Sequence, residues 1–297
     1  MEGKRRDIFT ESSNNKIKTY FLFLGFFAFV FLVAIAIKYI FSYEGFGILF
    51  IAGIIAIIYG LFGYYLGDKI VLATSGAHEV DPKKYTYLDN VVEGLAISAG
   101  IPKPKLYVIN DKSPNAFAAG RDPKHASLAV TTGLLEIMNR QELEGVIAHE
   151  MSHIQNRDIQ IMTITSILFG IISIVSDIAL RVFIFGGGDD RGNKNIVGVV
   201  VAIVLVILAP IVAMMIQLAI SRNREYLADS SSAKLTRYPK GLADALRKIK
   251  NVHQPVKNAS KGTAHMYIAN PLKSGGISGM FSTHPPIEER IKRLDSM

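Results

Sequence analysis

The 297-residue chain contains no cysteine. No disulfide framework therefore exists, and any metal site must be built from His, Asp or Glu. The absence is otherwise compatible with any compartment. No internal repeat recurs at a solenoid period. The net charge of +8 is not gathered on a basic helix face or an aromatic-interleaved patch, which speaks against nucleic-acid binding. The first apolar run is too long for the core of a signal peptide, and no small-residue cleavage pattern follows it. Stretches such as "FLFLGFFAFVFLVAIAI" lack the polar face that a soluble amphipathic helix carries.

What is present is apolar length. Hydrophobic residues make up 49% of the chain and the mean hydropathy is +0.28. Four apolar runs stand out, at about 19–41, 46–66, 159–185 and 196–220. Each reaches the roughly 20 residues a helix needs to cross a hydrocarbon core of ~30 Å. The expected fold is an α-helical transmembrane protein with four transmembrane helices and a mainly-α, α+β hydrophilic domain. The divisions are 1–66 (amino-terminal arm and transmembrane hairpin), 67–158 (first hydrophilic half), 159–220 (second hairpin) and 221–297 (second hydrophilic half). Lys4, Arg5, Arg6, Lys16 and Lys18 precede or begin the first run, whereas "SYEG" between the first two runs has no Lys or Arg. By the positive-inside tendency the amino terminus and both hydrophilic halves face the cytosol. The expected location is a cell membrane, multi-pass.

The first hydrophilic half reads as mixed α and β. "TYLDNVVEGLAISAG" has helical spacing and stops at Gly100. Residues 105–110 and 125–133 read as strands, with a short strand-like stretch at 115–119 between them. Asn139 with Glu142 forms a capping box, so a helix starts at Arg140, and no Pro or Gly after Gly145 stops it before the third apolar run. In the second half "SRNREYLADSSSAKLT" and "KGLADALRKIKNV" read as helices. A Gly, Pro, Ser and Asn-rich segment follows, then a final helix from "PPIEERIKRLDSM". Asp177 and Arg181 form an i, i+4 pair inside the third run, Pro210 is placed to kink the fourth, and Gln217 lies at its cytosolic end. His78, His125, His253 and His265 have no recognisable partner and read as loop or surface residues.

The chemistry concentrates in "HEMSHIQNRD", residues 149–158. On a helix, positions i and i+4 share a face, so His149 and His153 can converge on one ion. Glu150, one step round, can reach a water at that ion without ligating it, which is the physical content of HExxH. Such a site takes three protein ligands. Glu225 in "REYLADS" supplies the third, and Asp229, four residues on, can accept a hydrogen bond from a ligand histidine. Asn156, seven residues from His149, is a further candidate for supporting the ligands. His153 lies ~9 Å before the third run and Glu225 ~8 Å after the fourth, at 1.5 Å per helical residue, so both emerge at one depth on one membrane face.

Taken with "NAFAAG", "VIAHEMSHIQNRD", "SRNREYLADSSSAKLT", "MYIANPL" and "STHPPIEERIKRL", the chain resembles the HtpX-type membrane zinc metalloproteases, and more distantly the CAAX prenyl endopeptidases. The resemblance spans about 101–294. It implies a gluzincin-type, zincin-like endopeptidase core, one Zn²⁺ per chain on His149, His153 and Glu225, and Glu150 as the catalytic carboxylate. It also implies quality control of membrane proteins under stress, with unfolded membrane polypeptides as substrates and the lipid bilayer as surroundings. The oligomeric state stays open. His284 in "STHPP" is the candidate oxyanion donor, against a loop contact or cap. Asn115, Ala116, Phe117 and Ala118 are the candidate strand edge on which an extended peptide would lie, against an ordinary hairpin edge. The alternatives are a prenyl-protein endopeptidase, a non-catalytic zinc-binding membrane scaffold, and a transporter; the last is disfavoured because the key residues lie outside the apolar runs.

Overall fold

The structure, a computed structural model, describes residues 8–40, 45–185, 222–252, 254–272 and 284–297. The fourth apolar run, the loop before it, Pro210, Gln217 and His253 lie outside these residues, as do the side chains of Asp177 and Arg181.

Three long helices form one end of the molecule: α1 (Ile8–Ile40), α2 (Gly47–Thr74) and α6 (Asp158–Phe185). They pack through Leu22, Phe26, Phe29, Ala56, Ile161, Ile164, Leu168 and Ile172. Among the described residues one stretch, Leu49–Thr74, is long and apolar enough to cross a membrane. Shorter apolar stretches occupy Ile17–Phe31 and Asp158–Ser173. The outer face of α2 keeps Phe50, Ile57, Ile58, Leu61 and Phe62 exposed, a surface suited to lipid rather than water. Helix α2 continues to Thr74, past the expected end at residue 66. Tertiary packing carries it on, because Val71 and Leu72 are buried against Phe117, Met162 and Tyr267.

The rest is a mixed sheet with helices. Strands β1 (Ala77–Glu79), β2 (Lys105–Ile109), β3 (Ala116–Gly120) and β4 (Ala126–Thr131) lie in the order β1-β2-β4-β3. β2 and β4 are parallel; the outer pairs are antiparallel. β1 was not expected, since three residues are too few to show alternation. The strand expected over 125–133 stops at Thr131, whose side chain caps a short helix, α4 (Thr132–Ile137). Helix α3 (Thr86–Ala99) ends as expected at Gly100, in the left-handed conformation at φ 66°.

Helix α5 (Arg140–Gln155) starts with the expected capping box of Asn139 and Glu142. Against it lie α7 (Arg222–Thr236), α8 (Pro239–Asn251) and, at the chain end, α9 (Ile287–Asp295). Close approach is written into the sequence at Gly145. A Cβ there would stand 2.6 Å from the Leu242 backbone nitrogen. The Gly145 carbonyl also accepts a 2.7 Å hydrogen bond from Ser232 of α7. These contacts seat α7 on the face of α5 that carries the histidines.

Helix α5 does not run on into the apolar segment. It caps at Asn156, Arg157 turns left-handed at φ 59°, and α6 begins at Asp158. No proline or glycine marks the break. The packing that holds it is long-range: Asn15 of α1 donates to the Asn156 carbonyl at 3.0 Å and to Asp158 Oδ1 at 2.7 Å.

Candidate metal centre

His149 and His153 project from one face of α5, with their Nε2 atoms 3.2 Å apart and both rings buried. Glu225, from the first turn of α7, brings Oε1 to 3.5 Å from His153 Nε2 and Oε2 to 3.7 Å from His149 Nε2. One ligand atom from each of the three lies within 4.8 Å of the others.

The opposite edge of each imidazole is held by a carboxylate. His149 Nδ1 lies 3.0 Å from Asp229 Oδ1, and His153 Nδ1 lies 2.9 Å from Asp158 Oδ2. A neutral imidazole has one donor and one acceptor nitrogen. With both Nδ1 atoms donating, both Nε2 lone pairs point at each other and at the Glu225 carboxylate. Glu225 Oε2 has no hydrogen-bond partner among the described residues. Three converging lone-pair groups need a cation between them, and the donor set is that of a metal with nitrogen and oxygen preference. With no metal, a proton takes that role. Burial works against charge on His153, but Asp158, Glu225 and Glu150 overcome it and raise its pKa to about 9. Burial likewise opposes the Glu225 carboxylate, yet His284, His153, Arg290 and His149 hold its pKa well below the ordinary value.

Glu150 differs. Both carboxylate oxygens are buried without a hydrogen-bond partner among the described residues. Burial pushes its pKa up to about 7; His153 opposes this, Glu225 adds to it, and Arg290 and the Ala118 backbone N–H oppose it. A carboxylate left unsatisfied in this way is suited to receive a proton from something that enters the site.

Two supports were not legible in the motif. The first is Asp158, quoted in the sequence stretch but given no role there. It is fixed by Asn15 at 2.7 Å and flanked by Arg224 at 3.6 Å. The side chain of Asn156, expected to support the ligands, turns instead to Ser152 at 3.3 Å. The second is Arg290 of α9, fully buried. It grips Asp229 with two bonds, Nε to Oδ2 at 2.9 Å and Nη2 to Oδ1 at 2.7 Å, and donates from Nη1 to the Ile268 carbonyl at 2.8 Å. Nη1 also lies 3.6 Å from Glu225 Oε2. The carboxylate–arginine pairing lowers the Asp229 pKa and raises that of Arg290, each against the opposing effect of burial. The buried Arg in "PPIEERIKRL" reads in sequence as one more charge on a polar helix, so no local signal identifies it.

His284 is brought to the same centre, with Nε2 4.0 Å from Glu225 Oε2. Burial, together with the Arg290 and histidine charges, lowers its pKa to about 4 against the pull of Glu225, so at neutral pH its ring is uncharged. His265, expected at the surface, is buried and its Nε2 lies 3.1 Å from the Met162 carbonyl. The candidate peptide edge is partly engaged by the chain itself. Asn115 donates to the Ala269 carbonyl at 3.0 Å, Ile268 donates to the Ala116 carbonyl at 2.9 Å, and Phe117 is bridged to Tyr267. Of the four residues named for that edge, Ala118 is the one whose backbone N–H faces Glu150.

An HExxH helix, a carboxylate from a second helix placed where it could complete a His₂Glu metal set, and a buried, unpartnered glutamate are the parts of a metal-dependent peptide-bond hydrolase. The chain belongs to peptidase family M48, whose model matches residues 82–297, and it is a metalloendopeptidase. It is similar to the "Protease HtpX homolog" of Caldanaerobacter subterraneus subsp. tengcongensis, 48% identical and covering 99% of both chains. That of Dictyoglomus turgidum is 48% identical over 96% of this chain and 93% of its own. That of Streptococcus gordonii is 42% identical over 98% and 100%. Among solved structures, Ste24p of S. mikatae shares the fold at TM-score 0.52 and 21% identity. The match covers 90% of this chain and spans 62% of the Ste24p chain.

Proposed function

We propose that this chain is a multi-pass membrane zinc endopeptidase that cleaves unfolded membrane-protein segments at the cytosolic face of a cell membrane. The observation that carries the reading is the buried, unpartnered Glu150 carboxylate beside the His149, His153 and Glu225 cluster. A His₂Glu set suits zinc, which when bound supplies Lewis acidity toward the scissile carbonyl and toward a water. Glu150 takes the proton of the attacking water on a carboxylate oxygen and delivers it to the leaving amine. His284, uncharged at neutral pH, donates its ring N–H toward the developing oxyanion. Asp158 and Asp229 keep both ligand histidines in the tautomer that leaves Nε2 free. The peptide main chain lies along β3 at Ala118, where it reads little sequence. The exposed apolar face of α2, the apolar stretches of α1 and α6, and the membrane-length run at 196–220 support four crossings. The Lys16 and Lys18 charges beside the first run support a cytosolic active site.

The test is metal analysis of purified wild type and Glu225→Ala, paired with cleavage of an unfolded membrane protein and of a farnesylated peptide. Wild type is expected to carry one zinc per chain and cleave the unfolded protein, and the variant to lose both. Metal retained in the variant would remove Glu225 from the ligand set. Cleavage of the farnesylated peptide alone would reassign the substrate.

A further inference from the structure

A crevice of about 420 Å³ opens between α1 and α2 where both meet the start of α6. Phe23 and Phe27 of α1 and Ile57 and Leu61 of α2 form its walls, and Arg157 and Gln160 stand at the end nearest the protease domain. The two polar residues have no evident task in the fold. Among the described residues no carboxylate pairs with the Arg157 guanidinium. Gln160 is 8% exposed, and its buried Oε1 has no hydrogen-bond partner among the described residues. A buried carboxamide oxygen left unsatisfied is destabilising unless something donates to it. Tyr20 and Tyr64, which also line the crevice, are the residue type favoured where apolar core meets headgroups.

We propose that this crevice binds one anionic, hydroxyl-bearing glycerophospholipid. The lipid phosphate takes the Arg157 guanidinium, a headgroup hydroxyl donates to Gln160 Oε1 as the carboxamide turns toward the crevice, and an acyl chain lies against Phe23, Phe27 and Leu61. The inference rests on the membrane reading above. Each part answers a feature that the chain leaves open. Arginine meets phosphate through paired N–H donors. The orphaned Gln160 oxygen requires a donor, which a choline headgroup lacks. The apolar walls continue into the exposed face of α2. A substrate helix fits less well, because a volume of this size holds roughly a single turn of helix with its side chains, and such a turn brings neither phosphate nor hydroxyl to the polar end. The position is also consequential. Arg157 and Gln160 flank Asp158, the partner of His153. Thr19, another lining residue, donates to the carbonyl of Asn15, which in turn holds Asp158.

The test is native mass spectrometry of the full-length chain released from detergent with dioleoyl-phosphatidylglycerol and dioleoyl-phosphatidylcholine at equal concentration. Wild type is expected to retain phosphatidylglycerol roughly fivefold or more over phosphatidylcholine. Arg157→Gln should bring that ratio near one, Gln160→Leu should lower it, and Arg157→Lys should keep most of it. Equal retention of the two lipids by wild type, or an unchanged ratio in Arg157→Gln, would overturn the proposal. So would an apolar transmembrane peptide that displaces phosphatidylglycerol from wild type and binds Arg157→Gln equally well. Flotation with pure phosphatidylcholine liposomes separates the two levels. A chain that fails to float refutes the membrane reading, whereas one that floats without lipid preference refutes the lipid site alone.

Discussion

Replacing Glu150 by Gln should sharply reduce cleavage and, in the metal-free protein, improve stability in a pH-dependent way. The magnitude follows from the environment of the carboxylate. Burial raises its pKa from an ordinary 4.5 to about 7. A folded-state pKa above the unfolded value means the native protein holds a proton that the unfolded chain releases. The resulting stabilisation is complete below about pH 4.5 and is lost as pH rises through 7. At ~1.4 kcal/mol per pH unit the loss is roughly 3 kcal/mol by pH 8. Glutamine has the same shape and no charge, so it removes this dependence. Its buried amide adds a cost of its own, about 1–3 kcal/mol, but one that does not vary with pH. The discriminating quantity is therefore the slope. The stability of Glu150→Gln minus that of wild type should climb by roughly 2.5 kcal/mol between pH 5 and pH 8 in chelator. The chain has no tryptophan, so unfolding is best followed by calorimetry or tyrosine fluorescence in detergent. With zinc restored the difference should shrink, because a cation beside the carboxylate favours its charged form. Loss of a general base should lower kcat by roughly 10²–10⁴-fold. A stability difference that stays flat across pH would refute the buried, unpaired state of Glu150.

Asp158→Asn should weaken zinc binding by roughly 10–100-fold, measured by competition with a chromophoric chelator, because His153 loses the carboxylate that fixes its tautomer. Arg290→Met should destabilise the chain by about 3–5 kcal/mol in denaturant melts, since Asp229 is left as a buried charge without its two-bond partner. Adding Asp229→Asn to that variant should recover part of the loss. Full additivity of the two changes would show that the pair does not act as a unit.

The parts of this molecule legible in sequence are those with a local cause. The capping box at Asn139 marks the start of α5 to the residue, and Gly100 marks the end of α3. His149, His153 and Glu150 are fixed relative to one another by helical spacing alone. What escaped the sequence is held by contacts between distant segments. The break at Arg157 depends on Asn15, which lies 141 residues from Asn156. Arg290 reaches Asp229 across 61 residues, and Asn115 clasps Ala269 across 154. Helix α2 outlasts its apolar run because Val71 and Leu72 find partners in β3 and α6 that no window of sequence contains. The spacing of "REYLADS" brought Glu225 and Asp229 into view and the resemblance to a family added His284, but neither assigned a role to Asp158 or Arg290.

The break between α5 and α6 explains how an apolar bundle and a polar catalytic centre can share one continuous stretch of chain. An unbroken helix would carry the His153 face straight into the bundle, where a charged partner such as Asp158 is costly. The left-handed turn at Arg157 instead starts a new helix at Asp158. The carboxylate lies in the first turn of the new helix, where a negative charge is favoured. The same turn puts Asp158 within reach of His153 on one side and Asn15 on the other. One carboxylate therefore joins His153 to the first apolar helix. A movement of α1 against α6 cannot leave the His153 ring undisturbed without breaking a buried hydrogen bond. The candidate metal centre is in this sense assembled by the bundle, and the position of His153 reports on the packing of the helices around it.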